Sequence, residues 1–551
     1  MLVALGLCLT AIGSHGPGAI RAPGAHAVAY VTDSLSHGTI GDAWLSLEEA
    51  ILLHNGQLGF QQLSLAEQAQ VSLIPGTGNT TDVTWIDIDG TSTPVITVER
   101  DLSPILDTPF GLLIKGFNEA PILDFSGANI TRGLLVPANS MVLEDLILSG
   151  GPYGADVVQT DVAGQSGLTL RNVRFENQTR FGLRITATTS SAIGRVIVED
   201  CTFTNVPTAI TNLETGASRT TIFEVRNVTV RGAASGLECV LGPGGTGRYT
   251  LDRLDVEASG SGLRISRPGG ADRVAVVEST HVRVRAPECV AIATSPTGVT
   301  WVTLRMWDLR AAPGGHALVL GNLGDRVYGD VEDSSFEGGV EVRAGGGPAP
   351  LVSTNLRFRG GTVILGGSTT QNPSVSTSRF DQCTVQSVGG GAVALDGCCV
   401  VGGALTGTPQ APFLATGCHV STATATTNVQ RSNDLVLPQL GSMSIAPENV
   451  LVGGSVTLAV DLPAGLAGYF LLGLTDPAPV LAPQPLHVYT QPSLTLTMPG
   501  VYRAQQSFAL PIPNQPWLAG LEFTAQVAVI PDPGMIAPWI QLPPGRRFVL
   551  R

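Results

Sequence analysis

The 551-residue chain is 43% hydrophobic and only 14% charged, with 67 glycines and 37 prolines. That is too long for one ordinary compact domain unless it is built from repeats, and too apolar for a disordered chain. A net charge of −13 leaves no broad basic surface, which excludes a nucleic-acid-binding role of the usual kind.

The first segment, "MLVALGLCLTAIGSHGPGAIRAPGAHA", has an apolar run from Leu2 to Ile12 followed by small residues and a possible cleavage site at Ala25 to Ala27. Residues 1–27 are therefore expected to be a signal peptide, which makes the chain an exported one. No later stretch carries the uncharged run a membrane span needs. Residues 28–84 form an expected capping region. Within it "DAWLSLEEAILLHNG" (Asp42 to Gly56) predicts an amphipathic helix with Leu45, Leu47, Ala50, Ile51 and Leu53 on one face.

From residue 85 to 430 the chain repeats. "VLEDLIL", "TLRNVRF", "IVEDCTF", "EVRNVTV", "TLDRLDV", "VVESTHV", "TLRMWDL" and "DVEDSSF" share one layout. A single register position runs through Gly116, Asp145, Asn172, Asp200, Asn227, Arg253, Ser279, Met306, Asp333, Asn355 and Thr377, in steps of 26–29 residues and finally of 22. A fixed period of this size is the mark of a solenoid. Apolar residues alternate on either side of that position, as β pleating requires, and Asn and Asp suit a bend because they tolerate left-handed backbone. Leu170, Val198, Val225, Leu251, Val277, Leu304 and Val331 should stack as one interior column. Phe175, Phe203, Phe336, Phe358 and Phe380 should form a second, and Trp307 also points inward. After residue 432 alternating strands are separated by Pro/Gly turns, so residues 440–551 are expected to be a separate β-sandwich, packed lightly on the last coils.

The repeats resemble those of right-handed parallel β-helix proteins, the pectin-lyase-like group that includes pectin-degrading enzymes and many bacterial surface proteins. "SLEEAI" is similar to the SLREAI capping helix of secreted members, with Glu48 where Arg is usual. The resemblance implies an all-β right-handed parallel β-helix with an N-terminal helical cap, secreted or at the bacterial cell surface. It does not fix an activity.

The residue before the bend faces outward and reads Lys115, Glu144, Arg171, Glu199, Arg226, Asp252, Glu278, Arg305, Glu332. Adjacent coils lie about 4.8 Å apart, so opposite charges there stack as a ladder. Two residues past the bend, Asp255, His281 and Asp308 are expected to stack on three successive coils. Asp252, Asp255, Glu278 and His281 thus form the one concentrated titratable group, flanked by Arg226, Arg305 and Asp308 as ligand-binding candidates. Carboxylates about 5 Å apart suit retaining glycoside hydrolysis, and arginine beside acids suits a uronate lyase. The same residues are equally good ladder rungs.

Two functions stay open. One is a structural or adhesive protein contacting extracellular polysaccharide or other cell-surface components. The other is a carbohydrate-active enzyme, a polysaccharide lyase or glycoside hydrolase, acting on the flank of the coils. Coils of nearly constant length favour the first. No cofactor or metal is expected: Asp330, Glu332 and Asp333 are more often bend residues than calcium ligands, and "GPGGTG" lacks the rest of a phosphate loop. Cys383, Cys398, Cys399 and Cys418 cluster late, and some could pair in an exported chain.

Overall fold

The computed structural model describes residues 27–38, 40–73, 83–106, 111–137, 141–159, 165–187, 193–214, 220–241, 246–266, 274–293, 299–321, 326–343, 351–367, 373–421, 424–432, 435–437, 442–461, 467–482, 486–490, 496–502, 505–530 and 546–550. The expected signal segment lies outside them, apart from Ala27, which opens a buried strand, Ala27–Val31. The fold is an all-β parallel β-helix solenoid with a helical cap and a terminal β-sandwich. The chain divides into two compact units, Met1–Val228 and Thr229–Arg551.

In the first unit the helix Leu47–His54 begins with a capping box: Glu49 N–H donates to the Ser46 hydroxyl, and Ser46 N–H donates back to the Glu49 carboxylate. Leu47, Ala50, Ile51 and Leu53 are buried, as the apolar stripe predicts. Glu48, the odd residue of the motif, accepts from Ser103 N–H at 2.9 Å and so ties the helix to the loop beyond the first coil strands. Coil strands then stack in parallel: Val28–Val31 on Trp85–Ile88, Trp85–Asp89 on Leu113–Phe117, and Gln165–Arg171 on Ile193–Glu199. Leu170, Val198 and Val225 are in register and buried, and the Phe175 and Phe203 rings stack at 4.6 Å.

The bend position takes left-handed backbone at Asp145, Asn172, Asp200 and Asn227. Short polar side chains lower the cost of that conformation by bonding locally. Here they also bond from coil to coil: Asn172 Nδ2 donates to Asp145 Oδ1 at 2.7 Å, and Asn227 Nδ2 to Asp200 Oδ1 at 2.6 Å. The expected bend at Gly116 is displaced. Strand Leu112–Phe117 runs through it, and the left-handed residue is Asn118. Glycine is required at 116 for another reason: a Cβ there would sit 2.2 Å from the Asp145 carbonyl oxygen.

In the second unit the left-handed bends are Arg253, His281, Met306, Asp333, Asn355 and Thr377. One differs from the expected register: His281 turns the chain, not Ser279. Ser279 instead pairs with Leu251 and Leu304 in the interior column, and Val277 sits one alternation earlier, opposite Tyr249 and Val302. A slip of two residues leaves the inward and outward faces unchanged, so apolar alternation cannot detect it. The position is settled by a buried polar contact: the Trp307 indole N–H donates to Ser279 Oγ at 2.8 Å. Phe336, Phe358 and Phe380 stack in register as expected, with centroids 5.4 and 4.7 Å apart.

Beyond Leu437 two sheets face each other. Ser442–Ala446, Ser455–Asp461 and Gln505–Pro511 form one antiparallel sheet; Ala467–Ala482, Glu522–Ile530 and Arg546–Leu550 belong to the other. Val450, Val456, Leu458, Ile512, Leu518, Ala525 and Leu550 make the core between them.

Candidate functional site

The displaced bend at His281 separates most of the titratable group expected from the sequence. Asp252 lies opposite Thr280, whose hydroxyl donates to Asp252 Oδ1 at 2.7 Å. His281 Nδ1 is 3.8 Å from the same oxygen, and its side chain is 56% exposed. His281 does not stand between Asp255 and Asp308: Arg283 occupies that rung, in register with both. Asp255 is paired with Arg231 at 2.5 Å. Glu278 leaves the Asp252 column altogether. It lies opposite Thr250 and Thr303 and pairs with Arg248 at 2.9 Å. Arg305 Nε meets Glu332 at 3.0 Å. Arg226, in the first unit, is bound to Glu224 at 2.6 Å. Only Asp252 and His281 of the four proposed catalytic residues are brought together, and each of the three carboxylates already has a cation or hydroxyl against it.

Asp308 is different because it is buried. Arg310 Nη2 binds it at 2.7 Å and also grips Glu522 of the terminal sandwich, which Arg285 reaches at 3.3 Å. Burial alone would pull the Arg310 guanidinium down; Asp308 and Glu522 outweigh it and hold it above its ordinary value. Burial, with Arg310 alongside, lowers Arg285. The sandwich is therefore tied to the coils by a largely covered ionic cluster, where light packing was expected. The neighbouring outward columns are covered too. Arg357 and Arg379 alternate with the inward Phe358 and Phe380, yet are 1% exposed, and Arg379 Nε binds Asp381 at 2.6 Å.

Alongside this covered strip lies a cleft of about 560 Å³. Its floor is backbone, from the glycine pairs Gly314-Gly315, Gly338-Gly339 and Gly360-Gly361 of three successive coils. Its polar lining includes His316, Glu337, Glu341, Arg359, Gln382 and Glu448, the last from the sandwich. Glu337, Arg359 and Asp381 belong to one coil-to-coil column, with Arg359 Nη1 4.0 Å from Glu337 Oε1. The volume is that of a small-molecule or short-oligomer site. Carboxylate acceptors beside guanidinium and amide donors, over bare backbone, suit a ligand rich in hydroxyls. The sequence holds a signal for it: Gly-Gly doublets at 314–315, 338–339 and 360–361, one per coil, whose side-chain-free faces line up only when the coils are stacked.

Other chemistry finds little support. Among the described residues no three His, Cys, Asp or Glu side chains are grouped to hold a metal. Of the calcium candidates, Glu332 is engaged by Arg305 and Asp333 by Asn355. Burial pushes the Cys201, Cys289 and Cys383 thiols up to about 12, which makes them poor nucleophiles. Trp307 is fully buried, as expected, whereas Trp301 is exposed against Tyr328. Compared with known proteins, the chain matches no family model and no curated sequence.

Proposed function

We propose that the chain is an exported structural or adhesive β-helix protein of the cell surface or extracellular space, which holds polysaccharide in the glycine-floored cleft. The observation that carries this is the cleft itself: a hydroxyl-matching, backbone-floored cavity on a stack of coils many of whose other charges pair with one another. Export rests on the amino-terminal sequence, and the polysaccharide on the donor and acceptor set at Glu337, Arg359, Gln382 and Glu448. The column at Asp252, Arg305 and Glu332 serves coil register in this reading.

The test is a panel of neutral and acidic polysaccharides scored for both binding and cleavage. Wild type should bind at least one without cutting it. Gly360→Asn should weaken that binding about tenfold. Gly360 has left-handed backbone, which Asn tolerates, and a Cβ there meets nothing within 4 Å, so the new side chain fills the cleft and not the fold. Release of new sugar ends by wild type, lost in Gly360→Asn, would overturn the scaffold reading in favour of a lyase or glycoside hydrolase working in the cleft. Equal binding by both proteins would remove the cleft from the account.

A further inference from the structure

We propose that Cys398 and Cys418 are a disulfide site that staples the last coils of the β-helix. The two occupy the same place on adjacent coils, each one residue beyond a left-handed glycine, Gly397 and Gly417. Their neighbours Cys399 and His419 are Cα partners in parallel strands, which puts the backbones of Cys398 and Cys418 about 4.8 Å apart. That lies within the Cα separation a disulfide spans, about 4.4–6.8 Å. Both thiols are fully buried, and the Cys418 thiol beside Cys398 adds to the burial that pushes the Cys398 thiol up. None of the seven described cysteines is in a disulfide here. Cys399, by contrast, is in register with Arg379 and His419, and Cys383 has Gly403 packed on its backbone, so neither faces a cysteine at its own level.

A second observation says why a staple belongs at this end. Several earlier coils are pinned by side-chain bonds between bend residues, Asn172 to Asp145, Asn227 to Asp200 and Asn355 to Asp333, the last in this column. The next bends are Thr377, Gly397 and Gly417, which carry no amide or carboxylate. The covalent link would take over where the amide ladder stops. Its formation is thiol–disulfide exchange with a low-molecular-weight disulfide such as oxidised glutathione. One thiolate attacks the glutathione sulfur and releases one reduced glutathione. The second thiolate then attacks the mixed disulfide and releases another. Two S–H bonds are lost, one protein S–S bond forms, and the two electrons and two protons end on glutathione. Because both sulfurs are buried once the coils close, the exchange belongs to folding.

The experiment refolds the full chain in a buffer of oxidised and reduced glutathione and, separately, in reductant alone. Remaining thiols are alkylated in denaturant and the digest is mapped by mass spectrometry. The expected result is one linked peptide, Cys398 to Cys418, with Cys201, Cys239, Cys289, Cys383 and Cys399 alkylated, and a melting temperature several degrees above that of the reduced protein. Cys398→Ser should fold like the reduced wild type and show no oxidant-dependent shift. Serine is already native to this column: Ser334 and Ser378 hydrogen-bond there to the carbonyls of Glu332 and Ser376 at 2.7 Å. Alkylation of both cysteines in every preparation, linkage scattered among other cysteines, or an oxidant-dependent shift that survives in Cys398→Ser would each overturn the proposal.

Discussion

The outward charges of the first unit and those around residues 285–381 of the second use the same residue types in opposite solvent conditions. Lys115, Glu144, Arg171 and Glu199 pair along an open face, at 3.0 Å between Lys115 and Glu144 and 3.5 Å between Arg171 and Glu199. Asp308 with Arg310 and Arg379 with Asp381 pair along a strand instead, two residues apart, and are covered. The difference teaches that an outward pair of opposite charges has no fixed worth. In water it sets register gently. Once a second layer closes over it, each ion has lost its hydration and its removal leaves a partner stranded.

Three substitutions break that comparison at different points. The largest effect is expected from Glu522→Gln, which leaves Arg285 and Arg310 under the sandwich with only Asp308 to balance them. Removing one partner of a buried pair costs about 3–5 kcal/mol. Urea unfolding should report a loss in that range, and protease should cut sooner between residues 432 and 442. A loss under 1 kcal/mol would show the cluster to be solvated.

Asn355→Ala should come next, at about 1–2 kcal/mol, since it removes the bond to Asp333 and forces a Cβ without local compensation into left-handed backbone. Asn355→Gly separates the two causes: it should recover the backbone part and leave the hydrogen-bond part missing. The smallest effect belongs to Arg171→Gln on the open face, under about 1 kcal/mol at low salt and vanishing near 1 M, where the screening length falls to about 3 Å. A salt-independent loss there would place the open ladder with the buried one.

The parts of this fold that were legible are those that repeat. The left-handed bends at Asp145, Asn172, Asp200, Asn227, Asp333 and Asn355 announce themselves through residue type, and the phenylalanine columns through spacing. The error at Ser279 came from the one coil whose bend residue is a histidine and whose interior column holds a serine. The serine answers to Trp307, a residue of the following coil. The site was harder to see for a related reason. Glu522 is far along the chain from Arg285 and Arg310, and nothing local in "GLEFTAQVAV" marks its glutamate as a partner for arginines on a β-helix. Long-range ion pairs leave no period to find, and a cleft floored by glycine is written in absent side chains.

The Asn355-to-Asp333 bond joins equivalent positions of consecutive coils, 22 residues apart. Since each coil stacks on its two neighbours alone, that interval is also the step in which this stretch of chain can lengthen or shorten in descent. Loss of a whole coil brings a matching bend, a matching phenylalanine and a matching glycine pair into the vacated place. Loss of one residue fewer puts every later side chain on the wrong face. Insertions and deletions in related genes should therefore arrive in whole coils here, and a gene encoding one extra coil should give a protein of the same cross-section that is simply about 4.8 Å longer.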